Sequence, residues 1–537
     1  MTETGGPAGQ RVMNLATLLT QAARRRGPHP GLIKGEQRWS WADLERDTGR
    51  LAAALIGLGI GKGDRILAHS RNGHELVIAM FAVFRIGAIW VPTNFRLTPG
   101  EVVDQAETAG ACVFLCDGGF PEHAAAVAER ASTVRHIVRM CEGTFGDTTL
   151  ASLIETCPPD AVRPAAAVTY NDPCWFFFTS GTTGKSKAAI LTHGQMAFVI
   201  TNHLADLVPG TDSDDASLVV APLSHGAGVH MLNQVARAAR TVLPDSDRFD
   251  AALLWRLIDA HRITNMFTVP TILTMLSDHP DAAARPHPSL RYVIYAGAPM
   301  YREDQKRILA TIGPVIVQYF GLGEVTGNIT VLPPALHSLD DGPDARIGTC
   351  GIERTGMQVS VQDDRGKEVP PLETGEICVI GPAVFPGYFD NPKANAEVFR
   401  DGWFRTGDVG HMDREGFVYI TGRKSDMYIS GGSNIYPREI EEKILTNPAV
   451  AEVAVLGVPD AKWGESGIAV CALKPGTALS ETQLLTWLET HISRYKLPKR
   501  VVFLDALPKS GYGKVPKRLV RQTLEERGLL PEPTGET

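Results

Sequence analysis

No apolar run in this sequence is long enough to cross a bilayer. The longest, Leu76 to Phe84, is stopped by Arg85, whereas a helical span needs about 20 apolar residues. Charge of one sign is missing too: 53 Lys and Arg face 60 Asp and Glu, a formal balance of −7 over 537 residues. Nucleic-acid and membrane-surface proteins carry a basic face, so neither partner is expected, nor an integral membrane location. Cysteine is sparse, eight residues without framework spacing. Cys112 and Cys116 lie in one apolar run, with no second pair or histidine cluster to complete a zinc site. Core thiols in a reducing compartment are the expectation. Met1 to Gln10 is polar and Gly-rich, without the apolar core of a signal segment. A cytoplasmic protein is expected.

A chain of this length exceeds one ordinary core and should hold two or more domains. Its focal stretch runs from Thr179 to Lys187: Thr-Ser-Gly-Thr-Thr-Gly-Lys-Ser-Lys. Trp175 to Phe178 reads as a buried strand before it, and Ala188 to Leu191 as a strand after it. The glycines Gly181 and Gly184 allow close backbone approach. The hydroxyls of Thr179, Ser180, Thr182, Thr183 and Ser186 suit donation to phosphate oxygens, and Lys185 and Lys187 add charge. The Walker spacing is absent, since only Thr182 and Thr183 separate Gly181 from Gly184. Taken alone, the stretch fits either a phosphate loop or a polar hairpin turn.

Strand and helix alternate on both sides of this loop, which predicts α/β architecture with parallel sheets. Helical patterns cover Leu44–Ile60, Glu75–Phe84, Ala251–His261 and Arg302–Ile312. Thr98-Pro-Gly-Glu101 is a capping box with proline at the first helical position, opening a helix toward Gly110. Strand patterns cover Arg65–Ala68, Ala88–Val91, Cys112–Cys116, Ser217–Val220, Asn265–Val269, Leu290–Tyr295 and Val315–Gln318. Two α/β layers are expected, about 10–190 and 191–340, followed by a turn-rich, β-rich part over 341–422. Gly422 to Asp426 is a polar joint. Beyond it, an α+β unit is expected, with helices Pro437–Leu445, Glu481–His491 and Pro516–Arg527 and strands Val450–Leu456 and Ile468–Leu473.

The hydroxyl-rich loop, late joint and small C-terminal unit together resemble the adenylate-forming superfamily of acyl-CoA synthetases, adenylation domains and luciferases. The resemblance runs from about Trp39 to Arg521. Its loop matches Thr179 to Lys187, with Ser186 for the usual proline and Ala188 for the usual glycine. Tyr295-Ala-Gly-Ala-Pro-Met300 is similar to the adenine-contacting turn, which implies nucleotide contacts at Gly297 and Ala298. Gln318-Tyr-Phe-Gly-Leu-Gly-Glu324 resembles the Tyr-Gly-x-Thr-Glu signature, with Phe320 for tyrosine and Gly323 for the threonine that contacts the α-phosphate. Either the Gly323 amide or nearby Thr326 is expected to supply that contact, or the site is expected to hold the phosphate more loosely.

By the same resemblance, Gln318, Phe320, Gly321 and Gly323 line the nucleotide and Glu324 holds Mg2+, which takes one or two carboxylates plus phosphate oxygens. Asp408 accepts both ribose hydroxyls, and Arg423 contacts the ribose and α-phosphate. Gly431 and Gly432 line the thiol path, Asn434 lies near the nucleotide, and Ser425 is the pivot. Lys514 bridges the acid carboxylate and α-phosphate. The resemblance implies a domain over 1–424, a mobile lid over 425–537, and ligation of a carboxylic acid to coenzyme A with ATP. His225, Gly228, Ala296 and Leu322 are the expected acid-site residues. They offer no fixed charge, so a largely apolar monocarboxylic acid is expected, medium- or long-chain or aromatic. The rivals are an amino-acid or aryl adenylation module and a non-catalytic nucleotide-binding protein. Pro222 to Gly228 lacks the aspartate that the first uses for its α-ammonium group, and the second should have lost Lys514 or Glu324.

Overall fold

The computed structural model describes residues 10–146, 148–158, 164–180, 186–246, 248–284, 286–298, 300–342, 345–430, 433–460, 462–509 and 515–530, with the side chains of Ser180 and Asn434 outside that description. The longest apolar run becomes the helix His74–Arg85, in which every residue from Leu76 to Arg85 is buried. A helix apolar on all sides belongs inside a core. Its terminal Arg85 is neutralised there by Glu45 at 2.5 Å. The Thr98 capping box with Glu101 forms as expected, and Gly110 ends that helix in the left-handed region at φ 60°.

Six strands form the first sheet, in the order Ser186–Thr192, Pro173–Ser180, Ile89–Thr93, Arg65–His69, Val113–Cys116 and His136–Arg139. All neighbours are parallel except the first two, which make an antiparallel hairpin with Ser180 opposite Ser186. The second sheet has a parallel centre: Ile316–Phe320, Tyr292–Tyr295, Asn265–Thr268, Ala216–Val219, Arg240–Leu243 and Pro30–Lys34. Both sheets are buried by helices, as parallel sheets require.

Two expectations need correction. The hairpin Pro30–Lys34 and Gln37–Ser40, expected in the first layer, is the edge of the second sheet, where Leu32 pairs with Thr241. Short edge strands take their sheet from distant pairing, which sequence proximity does not reveal. The helix expected over Leu44–Ile60 spans Trp41–Gly57, because Ser40 caps it and Asp43 closes a capping box.

The β-rich part continues the second sheet through antiparallel strands Thr330–Leu332, Thr349–Glu353, Val418–Arg423, Trp403–Met412, Gly375–Ile380 and Gln358–Gln362. After the joint, Val450–Asp460 and Gly464–Leu473 anchor a five-stranded sheet. Helices Pro437–Leu445 and Glu481–Glu489 pack one core through Ile440, Ile444, Leu484 and Leu488. Helix Lys517–Glu526 packs another through Val520 and Leu524. Among the described residues, no helix is long and apolar enough to cross a membrane, and all eight cysteines are free.

Candidate active site

Strands Pro173–Ser180, Tyr292–Tyr295 and Ile316–Phe320 carry three of the expected segments at or just beyond their carboxyl ends, and open α/β sheets bind ligands at such ends. Strand Pro173–Ser180 of the first sheet ends beside the loop that follows Ile316–Phe320 in the second. Thr179 Oγ1 donates to Glu324 Oε1 at 3.1 Å and joins the two layers. Glu324, 5 % exposed, sits in the short 3-10 turn Gly323–Val325. Its Oε1 also accepts from the Tyr388 hydroxyl at 2.8 Å. Burial and the neighbouring carboxylate push the Tyr388 phenol well above its usual range, so it stays protonated as a donor. Lys187 Nζ lies 5.1 Å over the Tyr388 ring. Segment 387–389 reaches the loop by bonding to the hairpin, with Ile190 N donating to Gly387 O and Phe389 N to Ala188 O.

The signature loop is tight. A Cβ on Gly321 would stand 2.4 Å from Gly327 Cα, so the two backbones touch. Thr326 adopts φ 48° and is 7 % exposed, with Oγ1 buried and without a hydrogen-bond partner among the described residues. That hydroxyl is a donor still to be satisfied, as one serving a phosphate would be. Gly323 is closely packed. A Cβ there would meet the Phe177 ring at 2.6 Å and Thr179 Cγ2 at 3.0 Å.

Gly297 turns the chain after Tyr292–Tyr295 with φ 81°, and it and Ala298 are exposed. Ala296 is 2 % exposed. Tyr295 and Gln318 face each other across neighbouring strands, and the Tyr295 hydroxyl lies 3.1 Å from Gln318 Oε1 and 3.0 Å from His337 Nε2. Burial pushes His337 down to about 4, so it is neutral. Phe320 and Leu322 are half-buried against the main core. His225 opens helix Gly226–Arg237 and lies against Phe177, ring centroids 4.7 Å apart. Gly228 is packed inward, since a Cβ on it would collide with the Leu223 carbonyl at 2.0 Å.

Asp408 and Arg423 are register partners on adjacent strands. Arg423 Nε donates to Asp408 Oδ1 at 2.9 Å, while Asp408 Oδ2 is buried without a partner among the described residues. Burial pushes the Asp408 carboxyl up, and Arg423 opposes without overcoming it. The Asp408 carboxylate in turn holds the Arg423 guanidinium above its usual range, helped by Asp426 and Glu324. Gly181, Thr182, Thr183, Gly184, Lys185, Gly431, Gly432 and Lys514 lie outside the described residues; Ser180 and Asn434 enter only as backbone, paired with Ser186 and Ile429.

Residues 19–389 match the family model described as AMP-binding enzyme, which spans well over half of the 537 residues. The chain belongs to the AMP-binding enzyme family. Residues 439–514 match the C-terminal domain model of the same family. A feruloyl-CoA synthase from Amycolatopsis sp is 36 % identical over 503 residues, covering 93 % of this chain and 96 % of that one. An indoleacetate–CoA ligase from Aromatoleum aromaticum is 34 % identical over 511 residues, 94 % and 98 % of the two chains. The crystal structure of ATP-bound MatB from Rhodopseudomonas palustris superposes with a TM-score of 0.83 at 30 % identity, covering 96 % of this chain and 100 % of that chain.

This AMP-binding enzyme is thus an AMP-forming acid–CoA ligase whose partners are a carboxylic acid, ATP and CoA. Its residues fit Mg2+ and nucleotide. Glu324 is a buried carboxylate whose hydrogen bonds from Thr179 and Tyr388 both reach Oε1, and a carboxylate of this kind could hold Mg2+ together with phosphate oxygens. The orphaned Asp408 Oδ2 suits a ribose hydroxyl. Sequence reading missed Tyr388, Phe177, His337 and Asn72. The Asn72 amide clasps the loop before His225, donating to Ala221 O at 3.1 Å and accepting from Leu223 N at 2.9 Å. Only the two-residue period running back from Thr179 could have flagged Phe177.

Proposed function

We propose that this ligase activates a largely apolar monocarboxylic acid, aromatic or of medium to long chain, in the cytoplasm. The carboxylate attacks the α-phosphorus of ATP, giving acyl-adenylate and pyrophosphate. The CoA thiol then displaces AMP. Glu324 holds Mg2+, which when bound draws charge from the phosphates. Asp408 and Arg423 hold the ribose, and Lys514 neutralises the meeting anions, so orientation and charge carry the catalysis.

The observation that carries the acid class is the absence of a charged side chain at His225, Ala296–Ala298, Gly321–Gly323 and Phe177. A second charge on the substrate would be buried there unpaired, at a cost of several kcal/mol. The aromatic acids in the names of the feruloyl and indoleacetate enzymes support the same reading. Unpaired cysteines suit a reducing compartment. Pyrophosphate release with and without CoA, across acetate, octanoate, benzoate, a hydroxycinnamate, succinate and an amino acid, tests it. Octanoate or an aromatic acid should give the highest kcat/KM. A preference for acetate, succinate or the amino acid refutes the acid class, and turnover indifferent to CoA refutes the ligase.

The unit after residue 424 acts as a lid that rotates at Ser425, which is exposed beside the Arg423–Asp408 pair. Ser425→Pro fixes φ near −65°. ATP–pyrophosphate exchange should stay within about threefold of the parent while thioester formation falls about tenfold or more. Equal loss of both half-reactions makes Ser425 a fold position.

A further inference from the structure

Strand Pro173–Ser180 alternates its two faces in the manner of any strand. Phe176 and Phe178 point into the core of the first layer, with the Phe176 ring tilted against Phe389, centroids 4.8 Å apart. Trp175, Phe177 and Thr179 point the other way. Trp175 fills the space beside Gly228, and Thr179 bonds Glu324. Between them the Phe177 ring spans from Gly323, 2.6 Å from where a Cβ would stand, to the His225 imidazole at 4.7 Å between centroids. It is half-buried, with one side on the main core.

We propose that Phe177 shapes the acid site beside the reacting carboxylate, and that residue 323 is glycine because this ring occupies its side-chain space. The inference rests on the ligase reading above, in which the Gly321–Glu324 loop faces the α-phosphate. A carboxylate poised for attack lies about 3–3.5 Å from phosphorus, so the first carbons of the acid run alongside Gly323 and the Phe177 ring. A rigid aromatic wall admits an unbranched methylene or a planar sp2 carbon at that point. A methyl branch on the α-carbon would need the volume the ring holds. The selectivity is therefore for acids unbranched next to the carboxyl group, with bulk further out near His225.

The experiment compares the parent enzyme with Phe177→Ala, Phe177→Leu, Gly323→Thr and the double variant Phe177→Ala/Gly323→Thr. Each is assayed with the best acid from the panel above and with its α-methyl derivative, and each is followed through thermal unfolding. The parent should prefer the unbranched acid by about 30-fold in kcat/KM, the scale of one methyl against a packed wall. Phe177→Ala should reduce that ratio to about threefold or less, with Phe177→Leu in between. Gly323→Thr should lose about 10²-fold in adenylate formation and unfold at lower temperature, since overpacking displaces the loop. The double variant should recover at least about tenfold of the rate and most of the stability, a coupling that independent sites do not show. An unchanged ratio in both Phe177 variants, or a double variant no better than Gly323→Thr in either readout, overturns the proposal while thioester formation leaves the ligase standing. Absence of adenylate with every acid of the panel overturns the ligase reading and this acid-site inference together.

Discussion

Lys514→Ala is expected to lose adenylate formation by about 10²-fold or more, the scale seen when a group aimed at developing transition-state charge is removed. The requirement comes from the chemistry. An anionic carboxylate must approach an anionic phosphate, and negative charge builds on the phosphoryl oxygens as the bond forms. Arg423 is committed to Asp408 at 2.9 Å, and Lys187 lies against the Tyr388 ring on the hairpin. The variant should still convert supplied acyl-adenylate and CoA to thioester, because that step no longer joins two anions. Measuring pyrophosphate exchange and the thioester half-reaction separately gives the answer. Exchange near the parental rate would remove Lys514 from the adenylation machinery.

Asp408→Asn is expected to raise the KM for ATP by about 10²-fold with kcat less affected. Two hydrogen bonds to a charged acceptor are lost or weakened, at about 1.5 kcal/mol each, and both serve ground and transition state alike. The carboxylate accepts ribose hydroxyls in its ionised form, so ATP affinity should be full above its pKa and fall as pH drops through it. Because burial raises that pKa, the loss should begin at a higher pH than for an exposed aspartate. The acid-side limb of the KM profile should vanish in the variant. An ATP KM unchanged by the substitution would leave Asp408 as a partner of Arg423 alone.

Much of the architecture was legible because its causes are local. Helices Arg302–Ile312 and Pro437–Leu445 formed over the expected residues, since periodicity and proline at the first turn are properties of neighbouring positions. The Thr98–Glu101 box and Gly110 fixed one helix at both ends for the same reason. The segments around Thr179, Ala296, Phe320, Glu324, Asp408 and Arg423 could be singled out because the spacing within each motif is itself a local property of the sequence. Asp408 and Arg423 meet differently, as register partners on two antiparallel strands.

Tertiary structure decided what depends on distant partners. The hairpin Pro30–Ser40 took its place from Arg240–Leu243, a pairing that local pattern cannot contain. Tyr388 reaches Glu324 across 64 residues, Thr179 reaches it across 145, and Asn72 holds Ala221 across 149. Each is an ordinary polar side chain until the fold supplies its partner. Gly323 shows the division most plainly. The sequence by itself determined that residue 323 is a glycine, where the resemblance implies threonine. Only the packed structure showed what stands there, the ring of Phe177 from a strand more than a hundred residues away, against the space that a side chain would need.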